Sequence, residues 1–492
     1  PQDPDKWQGI LETKQYRDSS VQIFEEKIIG HEDCLYLNVW RPDDHRSKLP
    51  VFVFLHGGGN TVGSGQDFKG DFLSKQTNSI IISVNYRLGV MGWFRHSALA
   101  TGNPLHDSGN YGLLDILHAL KWVQENIHIF GGDRNNVTLG GHSAGGRNVM
   151  AALISPLGKG LFHKAIVLSG GMTTAPPALG EEKSADILAQ LLIEEGKVST
   201  KEEARQWENK QSADEIASYL RGKEAEEFPP IIGDPTIKME PFPHLFTDGH
   251  VLPREGFQVM ESGEYHKMPM ILGCTAHEVS TFAYFDPFFF NSSINKSKLF
   301  VKEKFDLYQH AVEYGSKIYA GFNIDHTADL LTTFTDQPPV FAYRFAWGTR
   351  EKVVATEVQK LFGAPHGADI DFFTGHEESM LDRLFPDSYY TRDNQPGRKK
   401  LNQTMVTYVK NFLHTGDPNN KGLPQWEPWQ NQKEAERVLV FDADHEQAIV
   451  RMSKQNFLRE EIVQEMKNNL SKEEYRLIAD QLFDGRFFWS IR

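Results

Sequence analysis

Cysteine is nearly missing from this chain. Its 492 residues hold two, Cys34 and Cys274, and a protein of this length with two thiols is not built on a disulfide framework. Both stand beside expected strands, where a free cysteine serves as a small buried hydrophobe. Zinc-type ligand spacing is absent, so no metal is expected. No window approaches eighteen uninterrupted apolar residues, which argues against an integral membrane helix. Positive charge is in deficit too. Lys and Arg number 52 against 66 Asp and Glu, a net charge of −14, which disfavours nucleic acid or an anionic membrane as the main partner. Internal repeats and low-complexity linkers are lacking. A starting Met is also absent: the chain opens on Pro1, the expectation for a processed or trimmed chain whose signal peptide, if any, has gone.

What is present is an ordinary globular composition, 39% hydrophobic and 24% charged, in a chain long enough to bury a large core. The first half alternates strand and helix patterns. Continuous apolar, β-branched runs predict buried strands over 50–55 (PVFVFL), 79–85, 136–139 and 164–169. Between them, residues 113–126 place Leu113, Leu117, Leu120 and Val123 on one helical face. This alternation predicts a mostly parallel sheet covered on both sides, with an antiparallel edge strand at 38–40. A charged stretch over 181–222 reads as solvated helices packed on that sheet. Strands resume at 268–272 and 340–345, 438–441 reads as the last one, and 472–483 as a terminal helix. Sequons of the N-x-S/T type stand at Asn136, Asn291, Asn295, Asn402 and Asn469, the first of them inside an expected strand.

One pentapeptide carries chemistry. Gly141-His142-Ser143-Ala144-Gly145 follows the strand pattern at 136–139 and precedes a helical one. A serine on such a strand-to-helix turn is exposed, strained and set at a helix N-terminus, where it can attack a carbonyl carbon. Side chains two residues either side of it would collide with the neighbouring strand and helix, hence the glycines. A serine hydroxyl needs a base and an orienting carboxylate. Nineteen histidines are available, but the order serine, acid, histidine with both partners after later strands favours Glu278 and His366. Both lie beyond carboxyl ends of expected strands. On position alone, a structural histidine and a structural carboxylate remain the weightier readings. An oxyanion hole would come from His56-Gly57-Gly58-Gly59, directly after the strand at 50–55, together with the Ala144 N–H.

At this point the chain resembles the type-B carboxylesterases, the family that also holds cholinesterases and bile-salt-activated lipases. The resemblance rests on Glu32-Asp33-Cys34-Leu35-Tyr36-Leu37-Asn38-Val39, Asn85-Tyr86-Arg87-Leu88-Gly89 and Gly109-Asn110-Tyr111-Gly112-Leu113-Leu114-Asp115. It continues through Phe130-Gly131-Gly132-Asp133 and the spacing from Gly273 over Glu278 to Phe282. It closes with the histidine loop from Gly363 to Phe372 and Thr415-Gly416-Asp417-Pro418-Asn419 followed by Trp426. In order along the chain it spans roughly residues 7 to 445.

The resemblance implies an α/β-hydrolase fold: a large, mostly parallel central sheet flanked by helices, in a single catalytic domain over 1–492. Helical insertions are expected over the active site at approximately 176–265 and 290–335. It implies Ser143 as nucleophile, His366 as general base and acid, and Glu278 as the orienter of His366. Oxyanion donors are Gly58, Gly59 and Ala144. Asp369 and Asp371 are the rival acids, too near His366 in sequence to reach its ring easily. The implied activity is a serine carboxylesterase working through an acyl-enzyme without metal or organic cofactor. The aromatic residues after Glu278, read as a pocket wall, point to small uncharged esters of apolar or aromatic character. Alternatives on the same triad are lipase-like or amidase activity, and a non-enzymatic one is a silent binding or adhesion module.

Departures from the family pattern adjoin the pocket. His142 stands where Glu is usual, and Asn60 follows the glycine run where an aromatic is usual. The cysteine expected to pair with Cys34 is replaced near Ser20, so that disulfide loop should be absent. No Trp lies between Ser20 and Glu32, which argues against choline recognition by cation–π contact. The chain begins near where the family's long N-terminal segment with its first hairpin ends, so the expectation is that this segment was removed or that the fold does without it. Phe282, Tyr284, Phe285, Phe288, Phe289 and Phe290 crowd the stretch after Glu278. Phe282 and Phe285, with Asn60 and His142, are candidate pocket residues, and core packing is the competing reading for the aromatic cluster.

Overall fold

A computed structural model describes residues 1–4, 8–232, 242–286, 288–289, 304–375, 380–432, 434–484 and 486. Phe290 and the sequons at Asn291 and Asn295 lie outside the described residues, as does the start of the second expected insertion.

The strands are β1 (Gln22–Phe24), β2 (Lys27–Ile29), β3 (Leu37–Trp40), β4 (Leu49–Leu55), β5 (Ile80–Val84) and β6 (Gly132–His142). After them come β7 (Lys164–Leu168), β8 (Met270–Thr275), β9 (Val340–Phe345), β10 (Val438–Ala443) and β11 (Ala448–Ser453). Nine of them form one sheet in the order β11-β10-β9-β8-β7-β6-β4-β5-β3. The run from β5 through β10 is parallel, while β3 against β5 and β11 against β10 are antiparallel edges. The expected edge strand at 38–40 is therefore present.

One expectation needs correcting. The strand at 438–441 is not the last: β11 pairs along its whole length with β10. Its residues are half-buried or exposed, so the apolar signal of a two-sided strand is missing. The expected terminal helix over 472–483 is present, α-helical at Lys472–Arg476 and wound more widely as a π-helix over Leu477–Phe483. A two-residue turn also joins β1 and β2 into a separate hairpin, too short to leave a periodic signal.

Burial alternates strictly with residue parity. On β4, Leu49, Val51, Val53 and Leu55 enter one core layer, while Phe52 and Phe54 enter the other. β5, β7, β8 and β9 divide in the same way. Such runs are continuous in sequence because both faces are covered. The helix Tyr111–Asn126 covers the first face through Leu113, Leu117, Leu120 and Val123, the residues its periodicity singled out. The helix Gln395–Thr415 covers the second through Leu401, Met405 and Phe412. The charged stretch over 181–222 is helical, at Pro177–Glu194, Lys201–Glu208 and Ala213–Arg221. Its apolar residues, Ile187, Leu188, Leu191 and Leu192 among them, join the first layer.

Cys34 and Cys274 are both free and buried. Ser20, the residue that stands near the position of the expected partner of Cys34, accepts instead from Leu88 N through its hydroxyl at 3.1 Å. Among the described residues, no helix is long and apolar enough to cross a membrane.

Candidate active site

The candidate residues converge on the carboxyl edge of five neighbouring strands, β9-β8-β7-β6-β4. β6 ends at His142, and Ser143 caps the helix Ala144–Ile154 with φ 56° and ψ −119°. A non-glycine residue held there stores about 1–3 kcal/mol of backbone strain. The surroundings enforce it. A Cβ at Gly141 would stand 2.4 Å from the Gly145 carbonyl carbon, and one at Gly145 would stand 2.1 Å from Leu55 O. The helix can therefore approach the sheet only with glycine at both positions. Ser143 N donates to Leu168 O at 2.8 Å, which pins the turn to β7.

Glu278 stands three residues past β8, and it opens the helix Glu278–Tyr284 rather than lying within a loop. It is fully buried. Its Oε1 accepts from Ser169 Oγ at 2.5 Å and from Thr275 N at 2.7 Å, and its Oε2 pairs with His366 Nδ1. A buried carboxylate is tolerable only when its lone pairs are filled in this way. The two loops are laced together by His277 N donating to Ala364 O at 2.9 Å, which delivers the residues on either side to each other. Ser169 and His277 were not singled out by sequence reasoning. Ser169 follows β7 at the same carboxyl edge, which was the available signal, whereas a backbone pair between distant loops leaves none.

The His366 ring is wedged among aromatic neighbours. His142 lies at 4.6 Å between ring centroids, Phe282 at 4.9 Å and Tyr319 at 6.1 Å. The Glu278 pairing is the ring's one hydrogen bond among the described residues, so the structure holds Ser143 and His366 at the same edge without a bond between them. Glu278 and His366 are thus brought together directly, and Ser143 joins them through its neighbour His142. Burial, followed by repulsion from His366, holds His142 well below the usual histidine range. Its Nε2 is shut off from solvent and meets no partner among the described residues. The rival acids are engaged elsewhere: Asp369 accepts from Tyr343 OH at 2.5 Å, and Asp371 accepts from Tyr390 OH.

The glycine run after β4 turns back on itself, with Gly58 at φ 98° and Gly59 at φ 65°. Gly58 O accepts from Thr61 N and Val62 N, both at 3.0 Å. A Cβ at Gly57 would come within 3.1 Å of Ser143 Cβ, so this loop lies against the serine turn. Among the described residues, no carbonyl or side chain accepts from the N–H of Gly58, Gly59 or Ala144. Backbone donors left open beside a helix N-terminus form a site for negative charge.

The other pocket candidates divide. Phe282 is half-buried against His366, as above, whereas Phe285 packs edge-on against Tyr284 at 5.1 Å. Tyr284 continues into Phe362 and Phe385, and Phe289 packs on Tyr308, an apolar layer of the core. Asn60 is fully buried, its amide paired with that of Asn148.

A model of the Carboxylesterase family matches the chain over residues 1–320 and 301–476. The medium-chain fatty acyl-CoA hydrolase precursor of Anas platyrhynchos is similar at 29% identity over 496 aligned residues, covering 90% of this chain and 81% of that one. Carboxylesterase 3 of Pongo abelii is 31% identical, with 84% of this chain and 72% of the relative covered. The para-nitrobenzyl esterase of Bacillus subtilis (strain 168) is 29% identical over 90% of this chain and 87% of its own. A solved structure of a PNB esterase superposes with a TM-score of 0.65 at 26% identity, covering 91% of this chain and 88% of that one. The sheet order, the flanking helices and the family pattern agree along almost the whole chain: it belongs to the carboxylesterase family and has the α/β-hydrolase fold.

Proposed function

We propose that the protein hydrolyses carboxylic esters through an acyl-enzyme formed on Ser143, within a single catalytic domain. Ser143 Oγ attacks the ester carbonyl carbon as His366 takes its proton. Glu278 fixes the imidazole by its bond to Nδ1, which leaves Nε2 as the nitrogen that accepts. Gly58, Gly59 and Ala144 donate N–H groups to the tetrahedral oxyanion, each such donor accounting for about 10²–10³ in rate. His366 then protonates the departing alcohol, and water releases the acid by the same steps in reverse. The observation that carries this reading is the Glu278 carboxylate, buried, filled by Ser169 and Thr275, and turned onto His366. That arrangement supports orientation and charge stabilisation of the imidazole. Phe282 beside His366 supports an apolar wall and hence small uncharged esters with an apolar or aromatic part.

The test is turnover of p-nitrophenyl acetate by wild type and Ser143→Ala, with fluorophosphonate labelling and peptide mass mapping. Wild type should turn over and carry the label on Ser143, and the variant should lose about 10⁴-fold or more in kcat. A wild type that neither hydrolyses the ester nor takes the label on Ser143 ends the proposal.

A further inference from the structure

The oxyanion donors of the proposed site sit on two separate elements: Gly58 and Gly59 on the loop after β4, Ala144 on the helix after Ser143. Three amides can converge on one oxygen only if that loop and that helix keep a fixed spacing. Packing sets the closest approach, since Gly145 lies against the Leu55 and His56 carbonyls. Packing alone does not stop the loop from moving outward.

A polar link does. Asn60, immediately after the glycine run, and Asn148, on the helix Ala144–Ile154, are both fully buried. Their side-chain amides face each other reciprocally. Asn148 Nδ2 donates to Asn60 Oδ1 at 2.9 Å, and Asn60 Nδ2 donates to Asn148 Oδ1 at 3.3 Å. Asn60 is itself held at φ 62°, with its carbonyl accepting from Gly89 N at 2.7 Å. At the loop's other end, Tyr86 OH donates to His56 O at 2.7 Å, its ring stacked on His56 at 4.4 Å. The helix of the serine is thus bonded to the residue that closes the turn carrying Gly57, Gly58 and Gly59, while Tyr86 holds the residue that opens it. A buried amide that loses its partner forfeits about 1–3 kcal/mol, so the pair resists separation.

We infer that the Asn60–Asn148 amide pair is a positioning device for the oxyanion hole, clamping the glycine loop to the helix of the reactive serine. This rests on the reading of Ser143, Gly58, Gly59 and Ala144 given above. The pair touches no reacting atom. It acts on the tetrahedral stage, where the donors must meet one oxygen within a few tenths of an ångström, and leaves ground-state binding nearly alone.

The experiment compares wild type, Asn60→Gly, Asn148→Ala and the double variant on p-nitrophenyl acetate. Inhibition by a trifluoromethyl ketone, which forms a tetrahedral adduct with an active serine, is measured in parallel. Glycine is chosen at 60 because it accepts a positive φ. Asn148→Ser, whose hydroxyl is too short to reach Asn60, runs alongside in case the alanine variant does not fold. Each single variant should lose roughly 10- to 100-fold in kcat, with KM within about threefold. The ketone's Ki should rise by the same factor, and the double variant should be no slower than the slower single one. Unchanged kcat, a loss confined to KM, or losses that multiply in the double variant would overturn the clamp while leaving the esterase reading intact. A wild type that is inert and unlabelled at Ser143 removes the esterase reading, and the clamp with it.

Discussion

His142 packs directly on the histidine of the proposed site. Its ring faces the His366 ring at 4.6 Å, and burial keeps it neutral. His366 therefore works beside an uncharged neighbour, with Glu278 as the carboxylate in contact and Asp369 as a second buried acid engaged by Tyr343. A carboxylate in place of His142 would favour a protonated His366, and an opposite charge at contact distance displaces a titration by about one unit or more. The His142→Glu variant should accordingly show the acid limb of its kcat/KM profile moved upward by about one pH unit. His142→Gln, which adds no charge, should keep the wild-type limb. A pH–rate series on p-nitrophenyl acetate reads both. A limb that stays in place in His142→Glu would mean that position 142 does not sense the charge on His366.

Elements buried on both faces were legible because their sequence says so without help. The expected strand over 340–345 coincides with β9, and the one over 50–55 differs from β4 by a single residue. Elements with a wet face or a mixed composition were not. β11 is a half-exposed edge, and the long helix Gln395–Thr415 dilutes its apolar period with three threonines and a basic first turn. The site followed the same division. Ser143, Glu278 and His366 are candidates from motif order together with the family resemblance, whereas the contacts that hold them together, such as His277 with Ala364, join segments with no local signal. The turn Gly321–His326 is another such junction. It is a π-type segment whose Asp325 reaches β9 and grips Arg344 at 2.7 and 2.8 Å, while Phe457 N donates to the same carboxylate at 3.0 Å. Burial raises Asp325 to about 6 despite the guanidinium, so the pair is ionised at neutral pH but stripped of water. Removing one partner of such a pair typically costs about 3–5 kcal/mol, because the other is left as an uncompensated buried charge. Asp325→Ala should lower the unfolding free energy measured in urea by that amount, with KM for p-nitrophenyl acetate unchanged in the protein that remains folded. An unfolding free energy within about 1 kcal/mol of wild type would show that Arg344 finds other compensation.

Across the whole molecule, pH acts on stability through groups of opposite sign. His56 is buried between Tyr86 and the glycine loop, and burial lowers it from 6.5 to about 4. His244 is lowered to about 3, by burial first and then by Arg147. A histidine depressed in the fold contributes stability that is complete above its unfolded value and is lost as pH falls from about 6.5 toward the folded one. Asp325 and Asp369 run the other way, since burial raises both to about 6. Their contribution is complete below 3.8 and is lost as pH rises through about 6. Between roughly pH 4 and 6 the two sets oppose each other, so the wild-type curve is flatter than either set alone would make it, and single variants expose the parts. At pH 5 an unfolded chain protonates position 56 almost fully while the fold does not, a difference on the order of 2 kcal/mol for the values 6.5 and about 4. His56→Gln removes that titration. Its stability loss between pH 7 and pH 5 should therefore be smaller than that of wild type by about 2 kcal/mol, read from denaturant midpoints at the two pH values. Asp369→Asn should tilt the curve in the opposite sense, by removing a group that favours the acid side. Identical slopes in wild type and His56→Gln would show that the histidine takes up its proton equally in folded and unfolded chains, and that the acid sensitivity of the fold lies elsewhere.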